Sequence, residues 1–392
     1  MIGLIVNPVA GIGGPAGLKG SDGEDVQAEA RGRGSVPRAT ERAELALLEF
    51  ARGNPGARVL TASGNMGQDA VVTAGLEPEV VYRPSGEHTT SADTIAAAAA
   101  LAAAGASMVL FVGGDGTARD VSAAIPPGTP CLGIPAGVKM YSGCFAVSPV
   151  AGGAIAAQSV SGRLPLQRRE ILDVAEDEVR AGRVDPTLFG YLDVPYVQGR
   201  TQARKASSTG SESDAVRDAA NGAVRQFRPG VAYLLGPGST MAAVAAVLCV
   251  EKTSLGVDVV LDGRLILADA TEQQLLQLVA HRPARAVVTV IGGQGFLLGR
   301  GNQQISAAVI RALGEDPLLV VATNDKLIAL GGRPLLVDTA DASVDESLAG
   351  YIRVVTGTDT SSLYRVAAAD AAIEATNTST RENNSWVDST TK

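Results

Sequence analysis

A short glycine-rich loop carries the residue pattern that most directly suggests chemistry. It consists of Gly113, Gly114, Asp115, Gly116 and Thr117, directly after an apolar run and directly before a helical pattern. Glycine lets the backbone approach a ligand closely and adopt positive φ, and the N-terminus of the following helix presents unpaired N–H groups to an anion. The pattern therefore predicts a phosphate-binding loop. The alternative is a tight Asp-Gly turn in which Asp115 and Thr117 compete as the helix N-cap.

Asp115 is the acidic side chain of this loop and the candidate catalytic residue. A carboxylate among phosphate-binding N–H groups costs free energy unless it faces a metal-coordinated phosphate or removes a proton from a hydroxyl. The second role is that of a general base in a transfer reaction. We therefore expect Asp115 to deprotonate an alcohol beside a bound nucleotide.

Two further glycine-rich loops follow apolar runs and could bind a second phosphorylated ligand. The first contains Gly236, Gly238, Ser239 and Thr240, and the second contains Gly292, Gly293, Gly295, Gly299, Arg300 and Gly301. Arg300 could bind a phosphate through two nitrogens, although a solvated arginine fits equally well, and Ser239 or Thr240 could instead cap the next helix. Lys139 and Lys205 are weaker candidates, because a solvated lysine fits each better.

Other nucleotide and metal motifs are weak or absent. Residues 11–16 fit the pattern G-x-G-x-x-A, but residues 18–23 are broken by glycines and predict no helix, so the dinucleotide fingerprint is weak. No G-x-x-x-x-G-K-[ST] sequence occurs. The cysteines and histidines are few and widely spaced, which predicts neither a disulfide framework nor a metal site.

Composition excludes several classes of function. The chain has 392 residues, 46% hydrophobic and 19% charged, which predicts a folded protein of about two or three domains. A net charge of −8 and an aromatic content of 4% argue against binding nucleic acid or an anionic membrane. The apolar stretch 95–112 fits a helix plus a buried strand better than a membrane span. With no signal-peptide pattern, we expect a cytoplasmic protein.

Alternating apolar and helical patterns in the first half predict a parallel sheet. We expect helices at 38–52, 90–104 and 118–124, between strands at 2–7, 58–62, 79–82, 108–112 and 131–134. Strands that alternate with helices form doubly wound α/β sheets, whose ligands bind at the carboxyl ends of the strands. The loop around Asp115 follows such an end.

After residue 161 the pattern predicts a second, β-rich domain. Expected strands lie at 168–180, 189–197, 231–235, 286–291, 318–322 and 352–355, and the polar segment 199–223 is predicted to be a mobile loop. We predict an α/β nucleotide-binding domain at 1–160, a β-rich substrate domain at 161–335, a segment returning to the first domain at 336–369, and a flexible tail at 370–392.

Taken together, these residues resemble the superfamily of NAD kinases and diacylglycerol kinases. Within it, the chain is similar to the ATP-NAD kinase branch that includes the protein X of acetoin-catabolism operons. The resemblance starts from Asn7-Pro8 and the Asp115 loop and extends over nearly the whole chain, through residues 17–23, 93–94, 113–120, 133–139, 235–240, 255–258, 299–304 and 337–339.

The resemblance implies an α/β N-terminal domain, a β-rich second domain and ATP-dependent phosphorylation of the adenosine 2′-hydroxyl of NAD. Asp115 would be the general base, ATP or polyphosphate the donor, and Mg²⁺ would neutralise the transferred phosphoryl group. The matching motifs imply nucleotide-binding residues at Asn7, Gly113, Gly114, Gly116, Thr117, Gly137, Lys139, Gly236, Gly238, Ser239, Thr240 and Arg300. The superfamily also suggests a homo-oligomer.

The chain departs from this family pattern at its substrate end. NAD kinases carry an Asn-Glu or Asn-Asp pair that holds the substrate, and Asn221 and Asn324 are poor candidates for it by context. Leu235–Met241 stands where the family has the loop T-P-T-G-S-T-A-Y. Phosphoryl transfer is thus better supported than NAD as acceptor. The alternatives are a kinase of another hydroxyl, on a lipid, diol or sugar derivative, and a nucleotide-binding protein without turnover.

Overall fold

The computed structural model describes residues 1–18, 23–86, 89–137, 140–162, 164–173, 187–197, 201, 212–291 and 295–371. Lys139, Lys205, residues 292–294 and the tail from 372 lie outside these ranges. Within them, no helix is both long and apolar enough to cross a membrane. The stretch 95–112 divides into most of a helix and a buried strand, as predicted.

The first half of the chain forms a parallel five-stranded sheet in the order β3-β2-β1-β4-β5. Its strands are β1 (Ile2–Val6), β2 (Arg58–Ala62), β3 (Glu77–Tyr82), β4 (Met108–Gly113) and β5 (Cys131–Pro135). Its helices are α1 (Glu24–Gly32), α2 (Ala39–Gly53), α3 (Gln68–Thr73), α4 (Ser91–Ala103), α5 (Asp115–Ala124) and α6 (Pro149–Ser161), and a 3₁₀ turn spans Gly64–Met66. The predicted doubly wound α/β fold is confirmed. Its strand order reverses between β1 and β4, where such sheets bind their ligands.

Continuous apolar sequence places β1 and β4 at the centre of the sheet. Every residue of both strands is buried, as expected for parallel strands with helices on both faces. Val6 pairs with Val112, so the two strands end at the same level. Asn7, which follows β1, and the Asp115 loop, which follows β4, are therefore neighbours.

A two-stranded antiparallel ribbon follows the first sheet. It pairs β6 (Leu166–Asp173) with β7 (Thr187–Pro195) and packs against α5. Its inward side chains, Ile171, Leu192 and Val194, are buried in the core of the first sheet. The ribbon therefore extends the first half of the molecule next to the helix that begins at Asp115.

The second half forms a nine-stranded mixed sheet in the order β10-β9-β8-β11-β13-β15-β16-β14-β12. Its strands are β8 (Ala232–Leu235), β9 (Asp258–Leu261), β10 (Arg264–Leu267), β11 (Ala284–Val288), β12 (Phe296–Leu298), β13 (Leu318–Val321), β14 (Leu335–Val337), β15 (Gly350–Val355) and β16 (Ser361–Ala368). Its helices are α7 (Glu212–Val224), α8 (Ser239–Val247), α9 (Glu272–Val279), α10 (Ala307–Leu313), α11 (Asn324–Ile328) and α12 (Ala342–Ser347). β8, β11, β13 and β15 are parallel, and apolar clusters cover the sheet.

Two parts of the chain differ from their prediction. The polar segment 199–223, predicted as a loop, contains most of α7, because Ala219, Ala220 and Ala223 bury one narrow face among charged neighbours. The sequence predicts no helix at 24–32, where the structure has α1; of residues 18–23, which are predicted not to be helical, 19–22 lie outside the described residues. In both cases a single apolar face of small residues gives too weak a periodicity to read from the sequence.

The two halves share an apolar core. Phe296, Leu336, Ala367 and Ala369 from the second half pack in the core of the first sheet. Residues 336–369, predicted to return to the first domain, place β14, β15 and β16 in the nine-stranded sheet, and three of these four side chains belong to them. The domain boundaries stay a prediction.

Candidate active site

Asp115 is the first residue of α5, immediately beyond the carboxyl end of β4. Its side chain is buried. One carboxylate oxygen accepts a hydrogen bond from the N–H of Tyr141 at 2.5 Å, and the other accepts one from the N–H of Ser142 at 3.1 Å. Each oxygen keeps a further lone pair that a substrate hydroxyl could use. The N-cap of α5 is Gly114, so the alternative in which Asp115 or Thr117 caps the helix does not hold.

Burial controls the acidity of this carboxyl group. It raises the pKa of Asp115 to about 7, against the hydrogen bonds from Ser142 and Tyr141, while the charge of Asp173 adds to the rise. A general base is most effective when its pKa lies near the working pH. The carboxyl of Asp115 is therefore suited to accept a proton from a hydroxyl at neutral pH.

Gly113, Gly114 and Gly137 allow close packing around Asp115 and do not adopt positive φ. Gly113, Gly114, Gly116 and Gly137 are all outside the set of residues with positive φ, contrary to the expectation for the loop. A Cβ on Gly113 would overlap the Thr117 side chain, and a Cβ on Gly137 would lie 2.6 Å from the Cα of Gly114. The absence of side chains thus lets the loops after β4 and β5 touch. The loop after β5 also contains Tyr141 and Ser142, whose N–H groups bind Asp115.

Asn7 and Thr117 meet where the strand order reverses. Asn7 Nδ2 donates a hydrogen bond to Thr117 Oγ1 at 3.0 Å, and Asn7 Oδ1 accepts one from the N–H of Val9 at 3.3 Å. This contact joins the end of β1 to the first turn of α5. A cavity of about 770 Å³ opens beside the pair, and Asn7, Gly116 and Thr117 line it. Its volume is that of a typical small-molecule site.

Most of the other residues on the cavity wall have polar side chains. Hydroxyl and amide groups come from Asn65, Thr90, Ser91 and Thr94, and the cations are Arg31 of α1 and Arg119 of α5. Asp115 is not part of this wall, because its carboxylate faces residues 141 and 142. The cavity and the carboxylate of Asp115 therefore lie on different sides of the first turn of α5.

Arg300 lies between the two halves, away from this cavity. Its guanidinium donates to the carboxylate of Asp338 at 2.8 Å and to the carbonyl oxygen of Val147 at 2.9 Å. Arg42 of α2 binds the same carboxylate at 2.9 and 3.0 Å. The predicted phosphate contact of Arg300 does not fit this position, because its terminal nitrogens are used in the link between the halves.

The cavity beside this ionic cluster is small. Burial by itself raises the pKa of Asp338, but the guanidinium groups of Arg42 and Arg300 hold it well below its usual range. The cavity beside the cluster measures about 30 Å³ and is lined by Gly137 and Arg300 among others. That is room for a water molecule and not for a nucleotide.

The glycine loop after β8 belongs to neither of the cavities described above. Gly236, Gly238, Ser239 and Thr240 line neither of the two cavities. Gly238 is the N-cap of α8 with a φ of 104°, so neither Ser239 nor Thr240 caps that helix, and Lys326 Nζ donates to Thr240 Oγ1 at 3.1 Å. Of the predicted nucleotide-binding residues, those brought together around Asp115 are Asn7, Gly113, Gly114, Gly116, Thr117 and Gly137.

Sequence reasoning missed several residues of the site. Tyr141 and Ser142 hold Asp115 through backbone N–H groups, which leave no trace in residue type. The Ser142 hydroxyl also donates to the carbonyl oxygen of Leu172 at 2.9 Å and accepts from its N–H at 3.0 Å. Arg31 stands in no recognisable motif, and Arg119 lies in the matching segment 113–120 without being singled out there. Their place on the cavity wall identifies both as residues of the site.

Comparison with known proteins gives a match for each half of the chain. A sequence model of the ATP-NAD kinase N-terminal domain matches residues 2–163, and one of the ATP-NAD kinase C-terminal domain matches residues 228–366. Together they cover about three quarters of the chain. Searches of curated proteins and of solved structures gave no match.

Proposed function

The chain belongs to the ATP-NAD kinase family and is a kinase, and on that premise we propose that it phosphorylates the adenosine 2′-hydroxyl of NAD to give NADP. The observation that carries the proposal is the buried carboxyl of Asp115, held by two backbone N–H groups with a pKa of about 7. This is the environment that a general base for an alcohol needs. ATP is the donor that the family implies, and polyphosphate is the alternative donor.

In the proposed reaction, Asp115 removes the proton of the 2′-hydroxyl. At the same time, the hydroxyl oxygen forms a bond to the γ-phosphorus of ATP. The bond between that phosphorus and the β-γ bridging oxygen breaks, and ADP leaves with the electron pair. Phosphoryl transfer depends on positioning and charge stabilisation. Residues Gly116 and Thr117 in the first turn of α5 line the cavity, and the helix has no side-chain cap among the described residues. These two observations support a role for their N–H groups in binding phosphate oxygens.

The carboxylate on the cavity wall suits a Mg²⁺ ion that binds together with the phosphates of ATP. The described residues hold no cluster of three or more His, Cys, Asp or Glu that could bind a metal alone. Mg²⁺ in kinases is typically bound by one or two carboxylates together with phosphate oxygens and water, and Asp120 lines the cavity. Asp120 would hold the ion, which would neutralise charge on the phosphates.

A direct assay tests the proposal. Purified protein with ATP, Mg²⁺ and NAD should form NADP, detected with an enzyme that accepts only NADP. Asp115→Asn should lower the rate by at least about 10²-fold, which is the lower range for loss of a general base, and keep the circular dichroism spectrum of the wild type. Asp193→Asn is a matched control, because that carboxylate accepts a hydrogen bond from the N–H of Gly128 on the ribbon side.

Two outcomes would contradict the proposal. If labelled phosphate passes from ATP to a diol or a diacylglycerol and not to NAD, the protein is a kinase of a different acceptor. If Asp115→Asn keeps the wild-type rate, Asp115 is not the general base. The acetoin-operon branch and a homo-oligomeric state stay predictions.

A further inference from the structure

Helix α1 forms one wall of the cavity beside Thr117. Its residues on that wall are Gln27, Ala28 and Arg31, which lie on one helix face because they are three or four positions apart. Arg31 is thus placed in the last turn of α1, on the side of the helix that the cavity uses. The other polar groups of the wall come from the end of β1, the 3₁₀ turn, the start of α4 and α5.

The side of α1 that carries Ala30 fixes the helix to the loop after β1. Ala30 is buried in a small apolar cluster with Ile12 and Ala16. Just beyond the helix, Arg33 Nη1 donates to the carbonyl oxygen of Ala16 at 2.8 Å, and the hydroxyl of Ser35 donates to the carbonyl oxygen of Ile12 at 2.5 Å. The position of Arg31 therefore follows from packing and does not depend on the arginine itself.

Arg31 also differs from Arg119 in its charge balance. Arg119 lies 2.8 Å from a carboxylate oxygen of Asp173 and 3.4 Å from one of Asp120. Arg31 has neither an ion pair nor a hydrogen bond to its side chain within the described part of the chain. The wall thus carries a positive charge that no described carboxylate balances. A ligand with several negative charges would balance it.

We propose that Arg31 binds the phosphate chain of the phosphoryl donor. A guanidinium binds phosphate with two parallel hydrogen bonds, which a single ammonium does not do. The inference rests on the proposed function in taking this cavity as the donor site. ATP and inorganic polyphosphate share the phosphate anhydride chain that Arg31 would contact, so the experiment contains an arm for each.

The test compares Arg31→Gln and Arg31→Lys with Arg52→Gln. Arg52 is an exposed arginine in the last turn of α2, paired with Glu49, so its replacement makes the same charge change away from the cavity. Calorimetry should show dissociation constants for Mg-ATP and Mg-tripolyphosphate at least about tenfold weaker in Arg31→Gln, the loss expected for a charge-assisted bidentate contact. Arg31→Lys should be intermediate, Arg52→Gln unchanged, and adenosine binding unaffected throughout.

The outcomes separate this inference from the proposed function. Unchanged ATP and tripolyphosphate binding in Arg31→Gln, or no binding of either by the wild type, would overturn it even if NADP forms. If Arg31→Gln weakens adenosine binding as much as phosphate binding, Arg31 has a structural role and does not contact the phosphates. Weaker phosphate binding in Arg31→Gln would support it even if NAD is not the acceptor. Weakening with only one of the two ligands would identify which donor Arg31 serves.

Discussion

The backbone N–H of Ser142 lies 3.1 Å from the carboxylate of Asp115, while the hydroxyl of the same serine bonds both backbone groups of Leu172. Ser142 therefore connects the carboxylate of Asp115 to strand β6 of the ribbon. Its side chain is fully buried, so no water replaces these bonds. The ribbon is thus part of what positions the carboxylate.

Replacing this serine should change the acidity of the base. In Ser142→Ala the segment 141–142 loses its anchor, and its N–H groups stabilise the ionised carboxylate less. We expect the pKa of Asp115 to rise by up to about one unit, so the acid limb of kcat/KM for NAD moves to higher pH. Ser161→Ala, at the exposed end of α6, is the matched control. A lower rate with an unshifted pH profile would contradict this role.

The wild-type pH profile should report Asp115 directly. Burial raises its pKa to about 7, and a general base works only when deprotonated. We therefore expect kcat/KM, measured with saturating ATP and limiting NAD, to rise with pH and reach half its plateau near pH 7. A profile that is flat between about pH 5.5 and 8.5 would show that another group sets the rate.

Gly113→Ala should disturb the site through a clash. The new Cβ would overlap the Thr117 side chain, which must then leave its hydrogen bond with Asn7. A displacement of about 1 Å in a catalytic site can cost about 10²-fold in rate, and we expect a loss of that order in kcat/KM. Gly162→Ala serves as control, because its Cβ meets nothing within 4 Å. Equal activity of the two variants would contradict the packing argument.

Asp338→Asn should weaken the link between the halves. It would leave Arg42 and Arg300 buried without a countercharge, and breaking a buried ion pair costs about 3–5 kcal/mol. Urea unfolding at pH 7 should show a loss of this size. Asp316→Asn removes an exposed pair with Arg285 and should cost about 1 kcal/mol or less.

The stability difference between the wild type and Asp338→Asn should depend on pH, because the pKa of Asp338 is shifted. The pKa of Asp338 is lowered in the folded protein, so its ionised form adds stability above the ordinary carboxyl range. This contribution is lost as pH falls below that range. The gap between wild type and Asp338→Asn should therefore narrow below about pH 4. A gap that stays constant with pH would mean that packing, and not charge, is lost in the variant.

The elements around Asp115 could be predicted because each has a clear local cause. β1 and β4 are continuous apolar runs, and the position of the glycine loop between β4 and α5 follows from them. Residues that act through the backbone, such as Tyr141 and Ser142, could not be predicted, because any residue type supplies the same N–H. For Arg300, the sequence does not show whether its partner is a phosphate or a carboxylate 38 residues away. The partner depends on tertiary packing, which brings Asp338 next to Arg300.

Phe296, Leu336, Ala367 and Ala369 complete the apolar core of the first sheet from the far part of the chain. A fragment ended at residue 163, where the first family match stops, would leave the surface beneath them open to water and prone to aggregate. We therefore expect a fragment of residues 1–163 to be less stable than the whole chain. Separate expression of the two matched segments should therefore yield insoluble protein. Any expressed form of this chain should contain both halves.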